Sequence, residues 1–380
     1  MSGIIVGAGI GGLSAAIAMQ RRGMPVQLYE AASALSPVGA GIVLPPNAMN
    51  ILERYGLAEQ VRGHGAPIES FVMLDRHGRT ISKIAARYTQ NRGTHQAVAI
   101  HRGRLQQVLL DALRPNTLFT DKTLVQTSIH TDRAEATFSD GTKACSEFMV
   151  GADGIRSAVR KLLFPASTLR YSGQTCWRGV AALTLPVQWI NQFTEIWGVG
   201  GVFGFAPISE TQVYWYATQK VVGDGSDDTD HIKQMLTDTY ASLLEPIAAL
   251  IAHTEVTHII RNDLIDLAPL KSWARGRAVL IGDAAHAVLP NLGQGGAQAI
   301  EDSWVLGEML ASSKSCDEAF MRYQKMRLAR ARKIAGISRN LANISSLCNA
   351  TMCDIRDALF RRIPAFVTTR QFQGIYGMPY

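Results

Sequence analysis

Three apolar residues, Ile4-Ile5-Val6, run without a polar break into Gly7-Ala8-Gly9-Ile10-Gly11-Gly12, and an Ala-rich segment follows. The pattern predicts a buried strand, a glycine turn and a helix start. PVQLYE, residues 25–30, predicts a second strand ending in Glu30. In residues 36–57, Gly39 and Gly41 make a loop, Pro45-Pro46-Asn47 opens a helix and Gly56 stops it. FVMLDRHGRTISKI, residues 71–84, alternates around His77-Gly78 as a hairpin. In residues 101–113, Leu105, Leu109 and Leu113 repeat at helical spacing. Short alternating strands occupy about 118–150, with Asp140-Gly141 as a hairpin turn, and end in FMVGADGIRSAVRKLL at 148–163.

Residues 171–220 concentrate Trp, Tyr, Phe, Val and Thr and predict an antiparallel sheet. Gly198, Gly200, Gly201 and Gly204 lack the spacing of a nucleotide loop, and no Ala-rich helix follows them. Glycines inside strands let something large lie close. DGSDDTD, residues 224–230, predicts a polar loop, and 231–252 a helix. RGRAVLIGDAAH, residues 275–286, predicts another buried strand entering a turn, with a long helix from about 295 to 310. In residues 340–380, Ile344, Leu347, Ile355, Leu359 and Phe360 alternate with Arg356, Arg361 and Arg362. That amphipathic helix has two roles open to it: packing along the seam between two domains, or loose attachment to a membrane surface.

Length changes this picture little: 380 residues allow two domains or one with an elaborated second lobe. Hydrophobic content of 47% against 18% charged excludes a disordered chain. The net charge of +7 is spread out, so no nucleic-acid partner is expected. The exception is RYQKMRLARARK, residues 322–333, read as a solvated helix face or as an attraction for phosphate or a membrane surface. Cys145, Cys176, Cys316, Cys348 and Cys353 have no zinc spacing, no metal site is evident, and reduced thiols point to the cytoplasm. No signal peptide is evident, and no run approaches the ~18–20 apolar residues of a membrane span.

Gly7, Gly9 and Gly12 form GxGxxG. The first allows the tight turn, the second lets backbone approach a pyrophosphate, and the third lets helix pack on strand. Phosphates then meet the free N–H groups and dipole of a helix N-terminus. Glu30 is placed for ribose hydroxyls and would repel the 2′-phosphate of NADP. These residues predict dinucleotide binding and leave FAD and NAD undecided.

Two further motifs change that. AVLIGDAAHAVLPNLGQGGAQAIEDSWVL, residues 278–306, contains Gly282-Asp283, and residues 151–157 read Gly-Ala-Asp-Gly-Ile-Arg-Ser. With GAGIGG and Glu30 they resemble, in order and over nearly the whole chain, the motifs of the FAD-dependent monooxygenases of the aromatic hydroxylase type (group A). The resemblance implies an α/β fold with a Rossmann-like FAD-binding domain of the glutathione-reductase type. That domain would be discontinuous, at 1–70, 97–168 and 267–340. A substrate-binding antiparallel β-sheet domain, 71–96 and 169–266, is inserted, and 341–380 forms a C-terminal helical segment.

It also implies bound FAD, NADH or NADPH as a transient reductant without its own GxGxxG domain, and dioxygen. A flavin hydroperoxide would hydroxylate or epoxidise a small, largely apolar aromatic or unsaturated substrate. By resemblance Asp283 takes the ribityl hydroxyls, beside Gly282, and Pro290 lies against the isoalloxazine in the catalytic centre. Gly293, Gly295 and Gly296 open a helix whose N–H groups face the pyrimidine end. Gly39, Gly41 and Gly293–Gly296 are compatible with a flavin that changes position. His286 belongs to the loop scaffold. Arg102 matches an arginine on the FAD phosphate or ribityl region, with Gln106 as a second candidate. Asp153 and Arg156 match positions tied to FAD and pyridine-nucleotide use, and Asp153 has a second reading as an ion-pair partner of Arg156 or Arg160.

YSGQTCWRGV at 171–180 and VYWYA at 213–217 are most similar to the subgroup containing urate hydroxylase and zeaxanthin epoxidase. Bacterial urate hydroxylase grips its purine with an arginine; aligned on Pro207, that position here is Val202. Losing a fixed donor from a buried polar site sharply reduces discrimination, so urate is not expected. Trp177, Val202, Phe203, Phe205 and Tyr214 are candidates for a substrate wall, of which alternation allows about half to face it. Tyr216 is the candidate for a polar contact to substrate. The alternatives are a drug-inactivating, tetracycline-type monooxygenase, a flavin-dependent reductase and a halogenase, whose WxWxIP stretch and catalytic lysine are absent here. A monomer or homodimer is expected.

Overall fold

Strand Gly3–Val6 is buried at every residue and pairs in parallel on both sides, with Val26–Tyr29 and Phe148–Gly151. Parallel strands covered on both faces read as unbroken apolar runs, and this one does. Ala278–Leu280 and Leu118–Phe119 extend the sheet in parallel, and Ala274–Arg275 closes one edge antiparallel. Helix Ile10–Gln20 is buried on all sides except at Gly11. It packs against helix Gly295–Ser312, where Ser303 Oγ donates to the Gly11 carbonyl at 2.9 Å. A three-stranded antiparallel sheet, Leu124–Ile129, Ala134–Phe138 and Lys143–Ser146, turns at Gly141 as expected. This computed structural model describes residues 1–35, 40–85, 96–221, 223, 225 and 231–377. Gly39 and most of the loop 224–230 lie outside the described residues.

A seven-stranded sheet runs in the order Ile260–Leu267, Leu169–Ala182, Gln212–Lys220, Gly201–Pro207, Gln192–Trp197, Ser70–Asp75, Thr80–Ala85. It is antiparallel except where Gln192–Trp197 meets Ser70–Asp75 in parallel, because a hairpin from early in the chain docks on its edge. One face is covered by helices Ile232–Tyr240 and Ile247–Ala252. The single helix expected over 231–252 is thus two, separated at Pro246. Proline lacks the N–H and clashes with the preceding turn, so it starts the second helix. The other face meets the three-stranded sheet Gly41–Leu44, Ala97–His101 and Gly65–Ile68. A Cβ on Gly41 would lie 2.4 Å from Tyr214 Cβ, so glycine is what lets these sheets touch.

Helix Cys316–Ser345 contains the basic run, in which Lys325, Arg332 and Lys333 are exposed as a solvated face would be, while Arg327 and Arg330 turn inward. Arg327 is fully buried and Arg330 nearly so, because Glu301 and Asp302 on the facing helix take their guanidinium groups. Helices Ala350–Arg361 and Ala365–Tyr376 then return over strand Thr80–Ala85. Phe360 packs edge-on to Trp197, and Phe372 and Tyr376 pack on Phe71. Among the described residues no helix is long and apolar enough to cross a membrane.

Candidate active site

The glycine turn separates packing from binding. Gly7 has a φ of +98°, and a Cβ there would meet the Ala152 carbonyl at 2.6 Å. A Cβ on Gly12 would sit 1.8 Å from the Gly7 carbonyl oxygen. A Cβ on Gly9 would meet no described atom within 4 Å, so nothing in the chain's own packing calls for glycine there. Gly9 starts helix Ile10–Gln20 without a side-chain cap, leaving first-turn N–H groups for an anion. The Ala8 peptide is clamped at both ends: its N–H donates to Glu30 Oε2 at 2.7 Å, and Gln106 Nε2 donates to its carbonyl at 3.1 Å. Glu30 Oε1 accepts from Ala32 N at 3.0 Å. Glu30 therefore braces the turn as well as ending its strand where a ribose would lie.

Strand Ala278–Leu280 leads into Gly282, at φ +56°, and then Asp283. The Asp283 carboxylate is exposed and accepts no hydrogen bond from a described residue. Enclosure by the surrounding walls raises its pKa, against the pull of His286, Arg102 and Arg160. Behind it lies a buried polar network. Asp302 Oδ2 accepts from Gly282 N at 2.8 Å and lies 2.5 Å from His286 Nε2; Oδ1 accepts from Arg327 Nε at 2.7 Å. Glu301 takes Arg327, Arg330 at 2.8 Å and Asn47 at 2.6 Å. Asn47 Nδ2 and Gln298 Nε2 both donate to Gln294 Oε1, at 3.1 and 2.8 Å. Burial alone would push the Asp302 carboxyl up; His286 and Arg327 outweigh it and hold it at about 2. His286 is thus scaffold. The network was missed in the sequence, although adjacent acids in an apolar helix and a downstream arginine run were its signal.

Gly293 and Gly295 resemble Gly9: a Cβ on either would meet no described atom within 4 Å, whereas one on Gly296 would press Ile42 at 3.0 Å. Pro290 is exposed at the head of the turn Pro290–Leu292. The turn is pinned from outside, by Ser338 Oγ on the Leu289 carbonyl at 2.6 Å and Tyr376 OH on the Leu292 carbonyl at 2.9 Å. Arg102 heads helix Arg102–Asp111, exposed, with its charge felt by Asp283. Asp153 does not pair with Arg156 or Arg160 by hydrogen bond: it accepts from Ser157 Oγ and, at 3.0 Å, from Val159 N, capping a helix. Arg160 is buried and donates to the Ala284 carbonyl at 3.2 Å, tying this loop to the Asp283 turn. A clamped anion-binding peptide, glycines open to approach and a free carboxylate at a strand end fit a dinucleotide of the FAD kind.

The substrate-wall candidates divide between two faces. Trp177, Phe203 and Phe205 belong to the core beneath helices Ile232–Tyr240 and Ile247–Ala252, with Trp215. They are a correction: alternation turns them away from the flavin turn, and Phe203 stacks on Trp215 at 5.5 Å. Val202, Tyr214 and Tyr216 lie on the opposite face, and Tyr216 packs against the cluster that contains Leu289. Tyr214 hydrogen-bonds Arg178, and burial pushes its phenol up to about 12. Tyr216 OH donates to Glu195 Oε1, and Trp197 Nε1 donates to Oε2 at 3.2 Å. Burial raises the pKa of both Tyr216 and Glu195. Phe193 stacks on Tyr216 at 6.2 Å, and Tyr376 stacks on Phe71 at 6.1 Å. Glu195, Phe71, Phe193, Arg178 and Tyr376 were missed. Register was the signal for three of them: Phe193 opposes Phe71, and Glu195 has the same parity as Phe193 and Trp197.

A family model described as an FAD binding domain matches residues 1–338. The chain is 37% identical over 358 residues to the aurachin C monooxygenase/isomerase of Stigmatella aurantiaca, covering 94% of this chain and 93% of that one. It is 34% identical over 380 residues to the 2-heptyl-3-hydroxy-4(1H)-quinolone synthase of Pseudomonas aeruginosa, covering 99% and 98%. The crystal structure of Klebsiella pneumoniae HpxO complexed with FAD and uric acid superposes with a TM-score of 0.91 at 25% identity, covering 99% of this chain and 96% of that one.

Proposed function

This chain belongs to the FAD binding domain family and is a flavoprotein monooxygenase, and from that premise we propose that it hydroxylates the ring of a 2-alkyl-4(1H)-quinolone. NADH or NADPH is the reductant in this reading. Substrate RH, dioxygen, NAD(P)H and a proton become ROH, NAD(P)⁺ and water. Bound FAD supplies the electron transfer and delivers the oxygen atom. The chain's residues do the rest. Gly7–Gly12 and Glu30 would hold the ADP half, Arg102 and Asp283 the middle, and Gly293–Gly296 the ring end.

The observation that carries the substrate class is the aromatic wall tied to the Pro290–Leu292 turn through Tyr376. It is built from the stacked pairs Phe193–Tyr216 and Phe71–Tyr376, with Val202 rather than an arginine beside them. Flat aromatic faces suit stacking on a bicyclic ring, and an apolar surround suits an alkyl chain and excludes water from the reacting atoms. The relative named for a 3-hydroxylated quinolone supports the same reading. The test is anaerobic. NADH or NADPH is mixed with the yellow protein, and oxidised-flavin absorbance is followed with quinolones, phenols, purines and isoprenoids. Quinolones are expected to accelerate bleaching most. Selective acceleration by another class overturns the quinolone reading, and no bleaching with either nucleotide overturns NAD(P)H dependence.

A further inference from the structure

We propose that Glu195 is the polar anchor for the substrate, its carboxylate accepting a hydrogen bond from a ring N–H of the bound heteroaromatic. The inference rests on the substrate class argued above and names the group that reads it. Glu195 stands on the face of the seven-stranded sheet that carries Tyr216, Val202 and Trp197, opposite Gly204 on one neighbour and Met73 on the other. Its surroundings are aromatic and apolar, and a carboxylate there is costly without strong partners. It has two within the chain, Tyr216 OH on one oxygen and Trp197 Nε1 on the other. A carboxylate has about four acceptor positions, so two remain.

Tyr216 packs against the cluster that contains Leu289, and Tyr376, whose phenol feels the Glu195 charge, is bonded to the Leu292 carbonyl. The acid is therefore bonded to one of these tyrosines and near the other, which holds the Pro290–Leu292 turn. Its sign also matters. This face of the sheet offers the Glu195 carboxylate as an acceptor, and Val202, opposite Trp197, offers no donor. An acceptor selects ligands by their N–H groups.

A 4(1H)-quinolone presents one N–H at position 1. Holding it fixes the ring against the aromatic wall and aims C3. As C3 gives electron density to the incoming oxygen atom, N1 gains positive charge, and the fixed carboxylate favours that state over the ground state. If Glu195 served only to tether Tyr216, an amide would serve as well.

The test compares 2-heptyl-4(1H)-quinolone with 2-heptyl-4H-chromen-4-one, in which a ring oxygen replaces N–H without added bulk. Dissociation constants are read from quenching of protein fluorescence in the FAD-loaded enzyme. Wild type is expected to prefer the quinolone by about 100-fold, since a buried acceptor left unpaired is strongly penalised. Glu195→Gln is expected to cut that preference about tenfold by removing the charge, with FAD content and melting temperature close to wild type, and Glu195→Ala to bring it near one at a lower melting temperature, because Tyr216 OH and Trp197 Nε1 lose their acceptor. Equal weakening of both ligands by Glu195→Gln, or equal binding of both by wild type, overturns the anchor while leaving quinolone hydroxylation standing. Failure of wild type to bind the quinolone overturns the substrate class, and the anchor with it.

Discussion

Tyr376 donates a hydrogen bond to the carbonyl of Leu292 at 2.9 Å, across 84 residues of sequence. The last described helix thereby holds the turn that the proposed function puts beside the flavin ring. Leu292 lies between Pro290 and Gly293, and Gly293 adopts φ +61°, so the turn has little stiffness of its own beyond its proline. Tyr376→Phe keeps the ring stacked on Phe71 and removes only this bond. The expected outcome is a stability loss of about 1 kcal/mol and a several-fold rise in hydrogen peroxide formed per NAD(P)H consumed. Coupled peroxide and product assays check it; unchanged coupling would falsify a role for the bond in the chemistry.

Gly9 and Gly12 are expected to separate cleanly. Gly9→Ala adds a methyl that meets no described atom within 4 Å, so the apoprotein should fold normally and bind FAD at least about tenfold more weakly. Gly12→Ala places its methyl 1.8 Å from a backbone oxygen and should destabilise the protein itself. Thermal melting of apoprotein and FAD titration distinguish the two.

Arg327 neutralises two buried acids, so truncating it leaves both without their common partner. Arg327→Met is expected to cost about 3–5 kcal/mol, and Arg327→Lys to recover only part, because one ammonium cannot reach both carboxylates as the planar guanidinium does. Urea denaturation measures both.

The same network sets an acid limit. The Asp302 carboxyl is held at about 2, below the ~3.9 of an unfolded chain. A depressed pKa contributes stability that is complete above the unfolded value and fades as pH falls through the folded one. The stability gap between wild type and Asp302→Asn should therefore be flat from about pH 7 to 5 and shrink between about pH 4 and 2. Denaturation curves across that range decide it; a gap that widens on acidification contradicts the assignment.

The two faces of the seven-stranded sheet give a further contrast. Phe203 is buried beneath the helices, and Phe203→Ala should cost about 3–5 kcal/mol with little change in substrate KM for the folded fraction. Phe193 stacks on Tyr216, and Phe193→Ala should instead raise KM several-fold at smaller cost in stability. Steady-state kinetics beside melting curves would show a reversal if the faces were exchanged.

That contrast also marks where the sequence was legible. The glycine turn, Glu30 and Gly282-Asp283 could be read because local backbone geometry dictates their spacing. Strand alternation said that only some aromatics from Trp177 to Tyr216 could face substrate, but not which parity. The choice was made by helices Ile232–Tyr240 and Ile247–Ala252 settling on one face, a contact no local pattern encodes. Arg327 and Arg330 looked like solvated charge because their partners, Glu301 and Asp302, lie on another helix. Glu195 was hidden in the same way: FTEIW is an ordinary strand until Tyr216 closes over it from two strands away.

The most direct test of the account is the origin of the product's new oxygen. Purified enzyme is given 2-heptyl-4(1H)-quinolone, NAD(P)H and ¹⁸O₂ in ordinary water, and the product is weighed by mass spectrometry. Monooxygenation puts one ¹⁸O atom into a ring-hydroxylated product. Product oxygen drawn from water, or flavin turnover that yields only peroxide across the quinolone series, contradicts it.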